Sequence, residues 1–151
     1  MKMISMILFL FSTLFSSVIQ AEIKPANEMI LKKDLAVEAG ATKHFGKKNI
    51  YNSSCALIVE NRTGQDLKIA KDSVLIVEKV ISGVRKIDPG YPESEAITHI
   101  IFQSRDEELE NVLLSLSCES GIFYTKDEAY MSYVSPQKVL KKFNDFIVQS
   151  K

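Results

Sequence analysis

The chain has 151 residues, 19 basic and 19 acidic side chains, and two cysteines. That length suits one domain with a short processed segment rather than two domains. The balanced charge excludes the broad electropositive face by which proteins hold nucleic acid or an anionic membrane.

The first 21 residues read as a secretory signal peptide. Met1-Lys2 carries a positive charge, and an apolar stretch runs from Met3 to Phe15, broken only by Ser5, Ser12 and Thr13. The chain then turns smaller and more polar up to Ala21, a small residue suited to the cleavage position, with Ile19 two places before it. An uncleaved membrane anchor is the competing reading. The run is short for a span of about 20 residues, and nothing later in the chain is apolar enough for a second span. Cysteine occurs only at 55 and 118, so no lipid anchor is expected at the cleavage point and no stable membrane anchor after it. Cutting after Ala21 removes one lysine from the 19 basic residues. It leaves 130 residues with 18 basic and 19 acidic groups, a net charge of −1. Export to the periplasm or beyond provides an oxidising compartment, in which two cysteines have one possible pairing, Cys55 with Cys118. Two separately buried thiols are the alternative.

Residues 22–28 are polar and contain Pro25, and read as a flexible leader before a single β-rich domain over 29–151. Met29 to Val37 reads as a first strand, with Leu31, Leu35 and Val37 on one parity; a helix over 27–39 competes with it. Ala39-Gly40 reads as a turn that returns Thr42 to Lys48 as a partner strand. Cys55, Leu57 and Val59 alternate with their neighbours in a clear strand. Asn61 to Gly64 is a turn, and Asp66 to Ala70 a short strand. Ser73 to Ile81 is apolar on both faces, as in a mid-sheet strand with material packed on each side. Ser82-Gly83 is expected to break it, and Asp88 to Pro92 to form a turn-rich loop. Ala96 to Gln103 is the next strand. Val112, Leu114, Leu116 and Cys118 share one face of the last clear one, so both cysteines lie on the apolar parity of their strands. Gly121 to Tyr133 reads as an aromatic loop. Ser135-Pro136 then opens a helix, by N-cap and first-turn proline, whose stripe is Val139, Leu140, Phe143, Phe146 and Ile147. That stripe either covers the sheet or lies on a membrane surface, and covering is favoured because exposed apolar patches are costly. The pattern predicts a mainly β (α+β) fold: an antiparallel β-sandwich or small open barrel of six or seven strands with one C-terminal helix.

This order of signals resembles a loose group of small exported proteobacterial proteins. Their pattern includes an early small-Gly turn, here Ala39-Gly40, and a Cys-x-Leu strand, here Cys55-Ala56-Leu57. It continues with an apolar strand, here Val74 to Val80, a leucine-rich strand ending in Cys118, and the amphipathic tail Val139 to Ile147. The tail here lacks the glycine such tails often carry. The resemblance implies an envelope location and a disulfide, and no particular activity.

No chemical constellation stands out. His44 and His99 are isolated, so the close ligand pairs of a zinc site are missing and no cofactor is expected. His99 shares a parity with Ile97 and Ile101 and reads as a core or rim histidine. There is no Gly-x-Ser-x-Gly elbow and no phosphate-cradling glycine loop. Asp106, Glu107, Glu108 and Glu110 read as a solvated hairpin turn, lacking calcium-loop spacing. Asn52-Ser53-Ser54 and Asn61-Arg62-Thr63 match the glycosylation sequon by chance composition. The aromatic group Phe123, Tyr124, Tyr130 and Tyr133 is the candidate interaction surface, because Tyr is favoured at interfaces and loops carry function. The expectation is a non-enzymatic envelope protein that binds a protein or another envelope component. A small hydrolase or glycan-processing enzyme using His99 and the acidic turn is the alternative. Oligomeric state is not legible in the sequence.

Overall fold

The computed structural model describes residues 22–151; the signal segment expected over 1–21 lies outside the described residues. The strands are β1 (Glu28–Leu31), β2 (Leu35–Val37), β3 (Thr42–Ile50), β4 (Ser53–Asn61), β5 (Leu67–Ile69), β6 (Val74–Lys86), β7 (Ser94–Ser104), β8 (Val112–Glu119) and β9 (Ile147–Gln149). The helices are α1 (Lys126–Met131) and α2 (Pro136–Lys142), with a 3-10 turn at Glu107–Leu109. Seven strands form one antiparallel sheet, ordered β3-β4-β8-β7-β6-β1-β9 and curled into a half-barrel; β2 and β5 pair separately. This is the mainly β class expected from the short strands and turn signals, and of the two expected forms, sandwich or open barrel, the curled sheet matches the barrel.

Side-chain alternation sets the core. Leu57 and Val59 of β4 face Leu116 and Leu114 of β8, which in turn face Ile100 and Phe102 of β7. All six are buried on the inner face. Burying each such side chain contributes about 1.5–3 kcal/mol relative to exposure. Cys55 and Cys118 are direct register partners on β4 and β8 and form a disulfide, with 4.1 Å between their Cα atoms. Val134, Val139, Phe143 and Ile147 complete this cluster from the C-terminal segment. Phe143 is fully buried, so the tail covers the sheet.

The two edges of the half-barrel nearly meet. Gly46 on β3 has φ +62, and a Cβ there would lie 2.6 Å from the Phe146 ring. Phe146 directly precedes β9 at the opposite edge, so a glycine is needed here for both its backbone and its lack of a side chain.

Several sequence expectations are corrected. The 27–39 segment is extended, but in two pieces: β1 pairs with β6 and β9, and β2 pairs with β5. Leu31, Leu35 and Val37 are all buried, as their shared parity predicts. The expected hairpin between this segment and β3 does not form, because β3 pairs with β4. β6 is not broken at Ser82-Gly83 but continues to Lys86, with Gly83 at φ 140 inside the strand. A register shift between Val77 and Lys79 marks a bulge at Glu78. It flips the parity, so that Leu75 and Val77 before it and Val80 after it join the core. Ile76, Ile81 and Ile101 are left half-buried on the other face. The aromatic loop contains α1, and the C-terminal helix ends at Lys142 rather than at Ile147, which belongs to β9. Residues 22–28, read as a flexible leader, are docked: Ile23 is buried, Ala26 N–H donates to the Val77 C=O at 2.8 Å, and Val77 N–H donates to the Asn27 C=O at 2.9 Å.

Candidate aromatic interaction surface

One end of the sheet collects the β3–β4 turn, the β6–β7 turn and the exit of β8. The register fixes this, since Ser54 and Ile97 both pair with Glu119, and Lys86 pairs with Ser94. Beyond Glu119 the chain stays beside β7: Ser94 and Phe123 exchange both backbone hydrogen bonds, at 2.8 and 2.9 Å. Phe123 is thereby held half-buried, and Tyr124 emerges beside it.

Thr125 then starts α1 with a capping box. Its hydroxyl accepts from the Glu128 N–H at 3.2 Å, and the Glu128 carboxylate accepts from the Thr125 N–H at 3.2 Å. Ala129 is the buried residue of α1, and its small side chain lets the helix sit close to the sheet. Two buried hydroxyls anchor the exit: Ser53 Oγ donates to the Ser132 C=O at 2.6 Å, and Thr98 Oγ1 donates to the Val134 C=O. A short, firmly held helix therefore carries its larger side chains outward.

Tyr124 is 77% exposed, Met131 76%, Ile122 66% and Tyr130 61%. Tyr133 is half-buried and supports Tyr130, with ring centroids 6.0 Å apart and an interplanar angle of 47°. Of the four residues singled out from sequence, two are exposed rings and two, Phe123 and Tyr133, are half-buried. Tyr51, Ile87 and Tyr91 add exposed apolar surface from the neighbouring turns. Tyr91 follows a Pro-Gly pair, a turn signal that placed it on a loop. Ile122 and Met131 carried no signal beyond adjacency to the rings.

The other sequence candidates fall elsewhere. His99 lies on the face opposite the core, with Nδ1 3.5 Å from Ser117 Oγ and Nε2 3.2 Å from Glu119 Oε1. The pair with Glu119 is a proximity only, since Nε2 has no aligned hydrogen-bond partner among the described residues. Ser117 is buried on the same strand face as His99, and Ser115 Oγ lies 3.1 Å from its hydroxyl. His44 is exposed on β3, opposite Ile58. The acidic turn is a 3-10 turn anchored by buried Leu109, with Asp106 Oδ1 accepting from the Glu108 N–H at 3.0 Å. It forms the end of the β7–β8 hairpin remote from the rings, and the fold does not bring it to His99. Among the described residues no three His, Cys, Asp or Glu side chains could together hold a metal ion, and no helix is long and apolar enough to cross a membrane. Asn61, in the second sequon, is buried: its Nδ2 donates to the carbonyls of Val37, Glu38 and Gln65, tying β4 to the turns around it. No protein-family model, curated protein or solved structure matches the chain.

Proposed function

We propose that the protein is an exported, non-catalytic binding module that engages a partner protein or another envelope component through its aromatic end. One observation carries this reading. Eight large apolar residues are exposed among the described residues, and seven of them lie at that end: Tyr51, Ile87, Tyr91, Ile122, Tyr124, Tyr130 and Met131. Leu113 is the exception. Scattered exposed apolar residues are normal, but several at one end of a sheet, four of them Tyr, are characteristic of recognition surfaces. The capped helix and the half-buried Tyr133 hold the Tyr130 ring in place, which lowers the entropy cost of binding. The Cys55–Cys118 bond fits an oxidising compartment, and with the signal-like first 21 residues it supports export.

The test is a capture experiment from the native envelope with a Tyr124→Ser, Tyr130→Ser, Met131→Ser triple variant. A partner held by the unchanged protein and lost by the variant, at equal melting temperature, is the expected result. Undiminished capture by the variant would refute the reading. The second reading, a small hydrolase, draws on His99 beside Ser117 and Glu119. The burial of Ser117 argues against it as a nucleophile. A fluorophosphonate probe is expected to leave Ser117 unlabelled, and labelling that depends on His99 would favour the hydrolase.

A further inference from the structure

A concavity of about 320 Å3 lies between the β3–β4 hairpin and α2, lined by Lys48, Asn49, Ile50, Tyr51, Lys138 and Lys142. Three lysines and no acidic residue line it. The ion pairs among the described residues involve none of these lysines. Lys48 Nζ instead donates to the Lys142 C=O at 2.8 Å and stands 4.4 Å from the centre of the Phe143 ring. Lys138 Nζ stands 4.0 Å over the Tyr51 ring. Asp145 is near enough to feel Lys48, but its hydrogen bond is with Lys33. A carbonyl and a ring orient the Lys48 ammonium and a ring orients that of Lys138, and neither cation forms an ion pair among the described residues, so the lining carries an excess of positive charge.

Lys48 has a structural role as well, since its ammonium satisfies a carbonyl at the C-terminal end of α2, where helices leave such groups unpaired. Lys138 and Lys142 have no comparable duty. Tyr51 adds a second feature. It has φ 50 and is followed by Asn52 at φ 66, both in the left-handed region of a tight hairpin turn. Asn and Gly suit such positions better than Tyr, yet here a tyrosine ring forms one wall beneath a lysine.

We infer that this concavity is a binding site for a phosphate group. Planar carboxylates are matched best by the guanidinium fork of arginine, which is absent from the lining; a tetrahedral anion with several charged oxygens suits separate lysine point charges. The Asn49 amide is a further donor, and Tyr51 and Ile50 offer an apolar wall to whatever carries the phosphate. The carrier is either a phospholipid headgroup or a soluble phosphate ester. The site does not depend on the aromatic end having a protein partner.

The test uses the oxidised protein purified after export, at low salt. One arm titrates glycerol 3-phosphate and follows backbone amide shifts. The other measures co-sedimentation with phosphatidylglycerol vesicles against phosphatidylcholine vesicles. A Lys138→Gln, Lys142→Gln double variant spares Lys48 and should fold normally, which an unchanged melting temperature checks. Lys71→Gln, on a distant turn, is the charge control. The expected result is saturable binding in at least one arm, weakened at least tenfold by the double variant and little changed by the control. In the soluble arm, shifts should centre on residues 49–52 and 138–142. Binding to phosphatidylglycerol alone assigns the site to a lipid headgroup, and binding in the soluble arm assigns it to a free phosphate ester. Absence of binding in both arms, or equal weakening by the double variant and the control, overturns the inference.

Discussion

Two short helices follow one another closely in the chain and treat their large side chains in opposite ways. α2 buries Pro136 and Val139 and ends on the fully buried Phe143; α1 buries only Ala129 and turns Tyr130 and Met131 to solvent. Both start with a good cap, Thr125 for α1 and Ser135 for α2. Capping therefore does not separate them; the apolar pattern does. Where large residues recur toward the sheet, the helix becomes a cover. Where a single alanine faces inward, it becomes a mount for exposed rings. The two jobs make different demands on stability, and substitutions should separate them.

Phe143→Ala is the sharpest break. Emptying a buried aromatic site costs about 3–5 kcal/mol, whereas Tyr130→Ala should stay within about 0.5 kcal/mol of the unchanged protein. Urea unfolding of the two variants tests the contrast, and equal losses would erase the distinction between cover and mount.

Next in size is the bond that holds β4 to β8 beneath α2. Cys55 and Cys118 are 63 residues apart, and closing a loop of that length in the unfolded chain stabilises the fold by about 4 kcal/mol in the chain-entropy account. The Cys55→Ala, Cys118→Ala variant should lose about that much in chemical denaturation. A loss below about 1 kcal/mol would mean that packing alone holds these strands. Thiol titration of the unreduced, denatured protein should find no free cysteine.

Thr125→Ala should cost about 1 kcal/mol, because it removes one half of the capping box. The loss should be confined to α1. Amide exchange at residues 128–131 should speed up while that of β8 stays unchanged. If both accelerate together, α1 is part of the core after all and the contrast with α2 weakens.

Much of this arrangement was legible in the sequence, and the limits have identifiable causes. β4 and β8 follow from alternation, which also placed both cysteines inward, and β7 follows from a short run that is apolar on both faces. The bulge at Glu78 was hidden, because one extra residue in an apolar run leaves no compositional mark. Gly83 reads as a breaker, yet its φ of 140 is accommodated within β6 by partners that are far away in sequence. The stripe Val139–Phe143–Ile147 kept helical spacing beyond the point where the helix ends. Its last residue is buried as expected, but in a strand paired with Leu31, and nothing local announces that partner. α1 shows no stripe at all, although Thr125 and Glu128 spell a capping box three residues apart. At the candidate surface, Tyr124 and Tyr130 were recognisable by type. The contributions of Tyr51 and Tyr91 depend on which turns the sheet brings to one end, which is a property of topology.

The smallest effect expected lies outside both helices and gives a baseline for them. Asp34, in the turn between β1 and β2, accepts from the Lys71 N–H at 2.7 Å and pairs with Lys68 at 2.9 Å. The Lys71 hydrogen bond first, and the Lys68 ammonium second, hold its carboxyl below the ordinary 3.8. A carboxylate whose folded value is depressed favours folding above its unfolded value, and that benefit disappears as pH falls through the folded value. Asp34→Asn keeps an acceptor for Lys71 and removes the charge. It should therefore lower the melting temperature slightly at pH 7, and the gap should narrow as the pH falls below 3.8. A gap that persists unchanged into strong acid would show that the fit of the side chain, not its charge, holds this turn. Because the site is exposed, added salt should also shrink the gap. The loss from Phe143→Ala should respond less to salt or acid, since most of it is apolar packing and only the contact with the Lys48 ammonium involves a charge.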